Sequence, residues 1–382
     1  MAARHRPGEA SIGMTVKTIT RMGLPWAFVG IMALPAVVHA QLTYITNGDN
    51  TITITGVIGS PSAVVIPDTT NGLPITSIGS SAFQNCTNLI DVTIGTNVTS
   101  IGTYAFHWCY NLTNLTIPNK VTSVGGGAFA WCASLSSVTI PASITYIGYQ
   151  AFFSCTSLTA ITVDTNNQTY RSEEGVLFDK NRTTLIQYPG GRAGDYAVPN
   201  VLAIGDSAFD SCIHLASVII PDSVTHIGSQ AFDYCTTLTS VTIPAGVTSI
   251  MDITFRWCFA LRSVYFKGNA PVSIASTAFL NDTSTVYYLP GTTNWTNPWG
   301  GLPTVLWNPD TKYDANFGVK TDQFGFTISG STNFTVVVEA CTNLLNPVWT
   351  SVATNTLTGG SSYFNDPQWS NHPARFYRFR SP

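Results

Sequence analysis

Charge is what this chain has least of. Asp, Glu, Lys and Arg make up only 10% of its 382 residues, against about a quarter in an ordinary soluble domain. Glutamate is scarcer still: past residue 40 only Glu173, Glu174 and Glu339 occur, which leaves little for paired-carboxylate hydrolysis. There is no HExxH or Cys-x-x-Cys spacing, no GxSxG elbow, no P-loop and no GxGxxG. The histidines past residue 40 (His107, His214, His226 and His372) lie in different positions of the pattern or far apart. No catalytic, cofactor-binding or metal-ligating residue is therefore expected, and no cofactor.

Long apolar runs are also missing, with one exception near the start. Leu24 to Val38 reads LPWAFVGIMALPAVV, short of the ~20 residues that cross a bilayer. Arg4, Arg6, Lys17 and Arg21 precede it and Val38-His39-Ala40 follows. Residues 1–40 are expected to be a secretory signal peptide cleaved before Gln41, placing the protein outside the cell or on its surface. Later segments are too short or too polar for an integral membrane span. Without residues 1–40 the balance is 13 Lys+Arg against 19 Asp+Glu, a net charge near −6. Nucleic acid needs clustered positive charge, so it is excluded as a partner. An anionic membrane surface is excluded on the same ground.

Repetition is what the sequence has in abundance. Cysteines fall at 86, 109, 132 and 155, then 212, 235 and 258, in steps of 23 with one jump of 57. Phenylalanines (83, 106, 129, 152, 209, 232, 255) and leucines (89, 112, 135, 158, 215, 238, 261) keep the same beat. One unit, Ile220 to Val241, reads IPDSVTHIGSQAFDYCTTLTSV. In LTSVTIP, Leu238, Val241 and Ile243 fit a strand buried on one face and ended by Pro244. Val224 and Ile227 mark a second short extended segment closed by Gly228. Ala231, Phe232 and Cys235 follow the inward stripe of about one helical turn. A single coil cannot bury these groups, whereas stacked coils cover each other's apolar edges and pair their strands in a parallel sheet.

The unit resembles the BspA-like leucine-rich repeats, whose pattern is roughly IPxSVTxIGxxAFxxCxxLxxV, and the resemblance covers about Val64 to Pro290. It implies a curved solenoid with a parallel sheet on one side and short helical turns on the other. It also implies a secreted or surface protein of a bacterium or protist that engages other proteins or cells. The expected fold is a β-rich, leucine-rich-repeat-like solenoid of ~23-residue coils plus a small β-sandwich-like C-terminal domain.

After the signal peptide, residues 41–63 are expected to form a hairpin cap around Asn47-Gly48-Asp49-Asn50 that protects the open edge. Residues 64–290 form the solenoid, interrupted at 164–199 by a hairpin that projects from the stack, with Asp179-Lys-Asn-Arg182 at its turn. Residues 291–309 are a cap and linker. Residues 310–382 break the beat and read as short strands of a small β-sandwich. This tail resembles a C-terminal module recurring in secreted proteins of environmental bacteria. One cysteine per coil at an equivalent position argues for a column of buried thiols more than for disulfides.

Two surface columns are candidates for recognition. The exposed strand positions carry small polar residues, with Asn114, Thr116, Ser137, Thr139, Ser240, Thr242 and Tyr265 as the candidate binding face. They either suit a solvated strand or form a face for protein or polysaccharide. The residue before each cysteine gives a second column, with aromatics at Trp108, Trp131, Tyr234 and Trp257. These either pack against neighbours or stand exposed to stack on sugar rings or partner side chains. The expected function is a secreted or cell-surface, non-catalytic binding or adhesion protein with a protein or glycan ligand. A carbohydrate-binding accessory protein, or a hydrolase-associated module, is the alternative.

Overall fold

The computed structural model describes residues 41–382, apart from 313, 322, 331–334 and 381; the expected signal peptide lies outside the described residues. Each coil contributes two short strands. The LTSVTIP segments form the first strand column. Ala63–Ile66, Asp91–Ile94 and Asn114–Leu115 pair in parallel, as do Ser137–Ile140 and Ala160–Val163. Gly194–Ala197, Leu215–Ile219, Ser240–Ile243, Ser263–Phe266, Thr285–Tyr288 and Thr304–Leu306 form a six-stranded sheet. Partners are equivalent residues, such as Ser240 with Ser263 and Val241 with Val264. A slip of one residue would turn Val241 and Ile243 out to water, which fixes the register.

The SVTHIG segments form a second column: Ile52–Ile58, Leu73–Ile78, Ser100–Ile101, Ser123–Val124 and Tyr146–Ile147 in parallel order. Gln41–Thr46 adds to it antiparallel. The hairpin at this end is thus continuous with the solenoid, since Ile52 and Ile54 of its second strand are already core. Glycines that close these segments permit close stacking: a Cβ on Gly102 would lie 2.6 Å from the backbone nitrogen of Ser80.

The third side corrects the expectation of a helical turn. Along it the amide hydrogens alternate in direction. Phe83 and Asn85 donate to Ala105 and His107 of the next coil, at 2.7 and 2.9 Å, while Gln84 and Cys86 donate back to Ser81 and Phe83, both at 3.1 Å. In the turn that Cys86 closes, the third residue, Asn85, has φ of 62°, as a type II turn requires. A helix would need every residue right-handed and all its bonds internal. The sequence spacing of Ala, Phe and Cys fits both arrangements, and only inter-coil pairing separates them.

Inside, the phenylalanines stack as a ladder. Ring centroids are 5.0 Å apart for Phe83–Phe106, 5.4 Å for Phe106–Phe129 and 5.7 Å for Phe129–Phe152. A second run joins Phe209, Phe232, Phe255 and Phe279. The cysteines beside them are free thiols. Cys109 and Cys132 donate to the carbonyls of Phe83 and Phe106 in the preceding coil, at 3.2 and 3.3 Å. A small apolar residue with one weak donor suits that position.

The segment 164–199 does not project, contrary to expectation. Tyr170–Glu173, Val176–Asp179 and Thr184–Gln187 form an antiparallel meander whose last strand pairs in parallel with Ala203–Ile204. It is spliced into the stack. Leu177 packs into the upstream core and its neighbours Val176 and Phe178 into the downstream core, because adjacent strand residues face opposite ways. The hydrophobicity of GVLF outweighs the charge of the flanking residues.

Residues 291–309 are a further coil more than a linker: Trp299 and Leu302 are buried in the solenoid core, and Thr304–Leu306 extends the sheet. Beyond them, Asp310–Lys312, Gln323–Ser329, Gly318–Lys320 and Ser361–Asp366 make one antiparallel sheet, and Thr350–Thr356, Thr335–Cys341 and Phe376–Arg380 another. Phe326, Ile328, Val336 and Val338 share a core with Tyr265, Tyr287 and Trp307 of the solenoid. The C-terminal domain therefore sits on the outer face of the last coils.

Candidate binding cleft on the turn face

The docked domain divides the candidate strand face. Asn114, Thr116, Ser137 and Thr139 are exposed. Ser240 is half-buried, while Thr242 and Tyr265 are buried. Thr242 Oγ1 donates to the carbonyl of Pro382 at 2.6 Å, and Tyr265 packs edge-on to Trp307. As members of an open recognition face these two residues are corrected: they belong to an intramolecular interface. The tail strands have no repeat linking them to the solenoid, so nothing in the sequence signalled this.

The aromatic column lies on the turn face, at the left-handed position of the type II turn. Trp108, Trp131, Tyr234 and Trp257 have φ of 63°, 63°, 60° and 58°. A left-handed backbone costs a residue bearing a Cβ roughly 1–2 kcal/mol. Asn or Gly tolerates it best, so bulky rings here are not what the turn itself selects. Trp131 is 38% exposed and Tyr234 42%; Trp108 and Trp257 are half-buried. Trp108 stacks on His107 at 4.2 Å.

Between Trp131 and Tyr234 the same column holds Ser154 and Ser211, and there the stack is missing a layer. The intervening coil makes only the abbreviated turn Tyr188-Pro189-Gly190-Gly191, with Tyr188 filling the ladder position against Phe209 at 5.0 Å. The full turns on either side consequently meet. Ser154 Oγ lies 2.8 Å from Ser211 Oγ, and Gln150 Nε2 donates to Ser207 Oγ at 3.1 Å and to Gln230 Oε1 at 2.8 Å.

A cleft of about 490 Å³ opens over these serines, within the ~300–1,000 Å³ usual for small-ligand sites. Trp131 and Phe153 form one wall, edge to face at 5.7 Å. Tyr234, Trp257 and Phe259 form the other. Asp210, Asp233 and Arg256 supply its charge. Arg256 Nε donates to Asp233 Oδ1 at 3.0 Å, its Nη2 reaches Oδ2, and its guanidinium lies 4.3 Å over the Trp257 ring. Asp210 is only 2% exposed. One of its oxygens accepts from Ser211 Oγ at 2.8 Å, and the other has no hydrogen-bond partner. Burial first, then the Asp233 carboxylate, pushes the Asp210 carboxyl well above the usual range.

A larger cavity of about 650 Å³ lies in the C-terminal domain, lined in part by Phe324, Phe376 and Tyr377. Its charges are answered within the domain: Arg375 meets Asp366 at 2.6 Å, and Arg378 and Arg380 hold Glu339. The cleft over the serines differs in having a buried carboxylate oxygen, on Asp210, that no protein group hydrogen-bonds.

The sequence brought out Trp131, Tyr234 and Trp257, and it placed Ser154 and Ser211 in the same column. It did not bring out Asp210, Asp233, Arg256, Phe153 or Phe259. Asp210 and Asp233 occupy one repeat position, directly after the ladder phenylalanine, and that was the available signal. Among the described residues no group of three or more His, Cys, Asp or Glu side chains is arranged to hold a metal, and no helix is long and apolar enough to cross a membrane.

Geometry and pattern together define a leucine-rich-repeat solenoid. The chain belongs to the BspA type leucine-rich repeat region family, whose model matches six copies over residues 66–182 and 197–295. A leucine-rich repeat protein from Eubacterium ventriosum is similar in structure, with 26% identity and a TM-score of 0.51 over 65% of this chain and 76% of that one. A leucine-rich cell surface protein from Faecalibacterium prausnitzii shares 29% identity over 65% of this chain and 94% of that one, with a TM-score of 0.38. No curated protein matches.

Proposed function

We propose that the protein is a secreted or cell-surface, non-catalytic binding protein that uses its solenoid as a rigid scaffold for recognition. The observation that carries this reading is the aromatic-walled cleft on the turn face. Repetition accounts for the interior, yet it does not account for large exposed rings at costly backbone positions. Family membership supports a non-enzymatic repeat protein. The open part of the strand face, Asn114, Thr116, Ser137 and Thr139, is a second surface available to a protein or cell-surface ligand.

The test is a binding screen with the full secreted chain against arrays of purified extracellular proteins and glycans. Saturable binding to at least one member is expected; silence on both arrays refutes the reading. Mass spectrometry of the exported protein is expected to find Gln41 at its N-terminus, and a retained leader would refute secretion by cleavage there.

A further inference from the structure

The cleft also carries information about its ligand. We propose that it is a carbohydrate subsite, seating a neutral pyranose ring between Trp131 and the Tyr234–Trp257 wall with Asp210 hydrogen-bonded to one of its hydroxyls. The inference rests on the binding reading above and specifies the chemistry of that site.

Shape comes first. The two walls carry aromatic faces and edges, and between them the lining includes Thr156, Ile213 and the buried Ser154 and Ser211, whose hydroxyls bond each other. A pyranose presents a flat patch of C–H groups on one face and hydroxyls around its rim. The patch suits the exposed rings of Trp131, Tyr234 and Phe259, which are 38%, 42% and 56% accessible. The rim suits the few polar side chains of the lining, Thr156, Asp210, Asp233 and Arg256.

Charge then narrows the class. Arg256 lies in the cleft, stacked on Trp257 and paired to Asp233, so a cationic ligand would meet a fixed positive group. An anionic ligand would meet the Asp233 carboxylate beside it. A neutral polyol meets neither objection.

Asp210 lines the cleft, and its one oxygen that no protein group hydrogen-bonds favours a particular functional group. A buried acceptor left unsatisfied is unfavourable, so a ligand that satisfies it is expected to bind at least about tenfold more tightly than one that does not. Burial and Asp233 favour the protonated acid at this position. A hydroxyl accepts from the acid and donates to the carboxylate, so it serves either form. An ammonium group has no lone pair and serves only one.

The test is titration of the full secreted chain with gluco-, manno-, xylo-, galacto- and N-acetylglucosamine hexasaccharides, followed by tryptophan fluorescence and calorimetry. At least one is expected to bind saturably. Trp131→Ala and Tyr234→Ala, at exposed side chains, are expected to weaken it at least about tenfold. Asp210→Leu is expected to weaken it similarly with its melting temperature preserved, and Trp108→Ala, outside the cleft, to leave it unchanged. Binding that survives Trp131→Ala and Tyr234→Ala overturns the location. If all five sugars are silent while a purified protein ligand binds, the carbohydrate assignment falls and the binding reading stands. If neither kind of ligand binds, both fall.

Discussion

Ser154 and Ser211 are 57 positions apart in the chain, yet their hydroxyl oxygens lie 2.8 Å apart. Every other pair of neighbouring turns between Asn85 and Trp257 is separated by 23 residues. The exception arises because the coil between them turns on Tyr188-Pro189-Gly190-Gly191 and withdraws from the turn face. A Cβ on Gly191 would lie 2.5 Å from the carbonyl carbon of Ser157 and 2.8 Å from the amide nitrogen of Leu158. These are backbone atoms of one peptide group, which leaves no cheap relief. Gly191→Ala is expected to destabilise the protein by about 1–3 kcal/mol, read as a lower urea midpoint. An unchanged midpoint would mean that this close approach does not hold the junction together.

Phe129 and Trp131 make opposite predictions from positions two residues apart. Phe129 is fully buried between Phe106 and Phe152, so Phe129→Ala is expected to cost about 3–5 kcal/mol. Because each coil contacts mainly its neighbours, the loss should show as two separated transitions in calorimetry. Trp131 is exposed at a left-handed position. Trp131→Asn is expected to leave stability within about 1 kcal/mol of wild type or to raise it. A large loss there would show that the ring is structural and would remove the motive for assigning it to a ligand.

Asp282 gives a pH prediction. Burial, only partly offset by hydrogen bonds from Ser284, pushes its carboxyl up to about 6 from 3.8. In the unfolded chain it ionises near 4, so between about pH 4 and 6 the folded state binds the extra proton. Stability from this group is therefore complete below pH 4 and lost as pH rises through 6. Asp282→Asn, which keeps an acceptor for Ser284, is expected to gain on the order of 2 kcal/mol over wild type at pH 7.5 and nothing at pH 3.5. Denaturation curves of both proteins at the two pH values check this; a pH-independent difference would exclude the ionisation as its cause.

The cysteine column should be chemically silent. Burial raises Cys109 and Cys155 to about 12, which leaves almost no thiolate at neutral pH. Under native conditions a thiol reagent is expected to label Cys86 first, since it alone among the eight is half-buried, and the others only on unfolding. Intact mass before and after reduction should be identical. A 2 Da gain on reduction would reveal a disulfide and displace the thiol–carbonyl bonds seen here.

Docking of the C-terminal domain depends on Tyr265, which is 3% exposed and stacked on Tyr287 at 5.0 Å. Tyr265→Ala is expected to cost about 3–5 kcal/mol and to speed proteolysis between the solenoid and the tail. If cleavage there is no faster, Thr242, Trp307 and the tail strands hold the interface without it.

The repeat itself was legible in the sequence down to single side chains. Phe106, Cys109 and Leu112 are all fully buried, and Ser240 pairs with Ser263 as the 23-residue beat implies. That information is local and periodic: strand alternation and proline stops are properties of neighbouring residues, and repetition multiplies the signal. The same spacing did not separate a helical turn from alternating type II turns, because both bury Phe and Cys and differ only in where the amide hydrogens point.

What the sequence determined by itself is therefore the content of one coil and the fact of stacking. Tertiary structure alone decided where stacking is broken or covered. The meander at 164–199 became part of the core because its two faces fit two cores, and that abbreviated layer brought Ser154 to Ser211 and Asp210 beneath the aromatic walls. The tail covered Thr242 and Tyr265 because its edge residues fit them. Such contacts join segments with no common period, and their energy depends on shape complementarity across long stretches of chain, which no spacing of residues records.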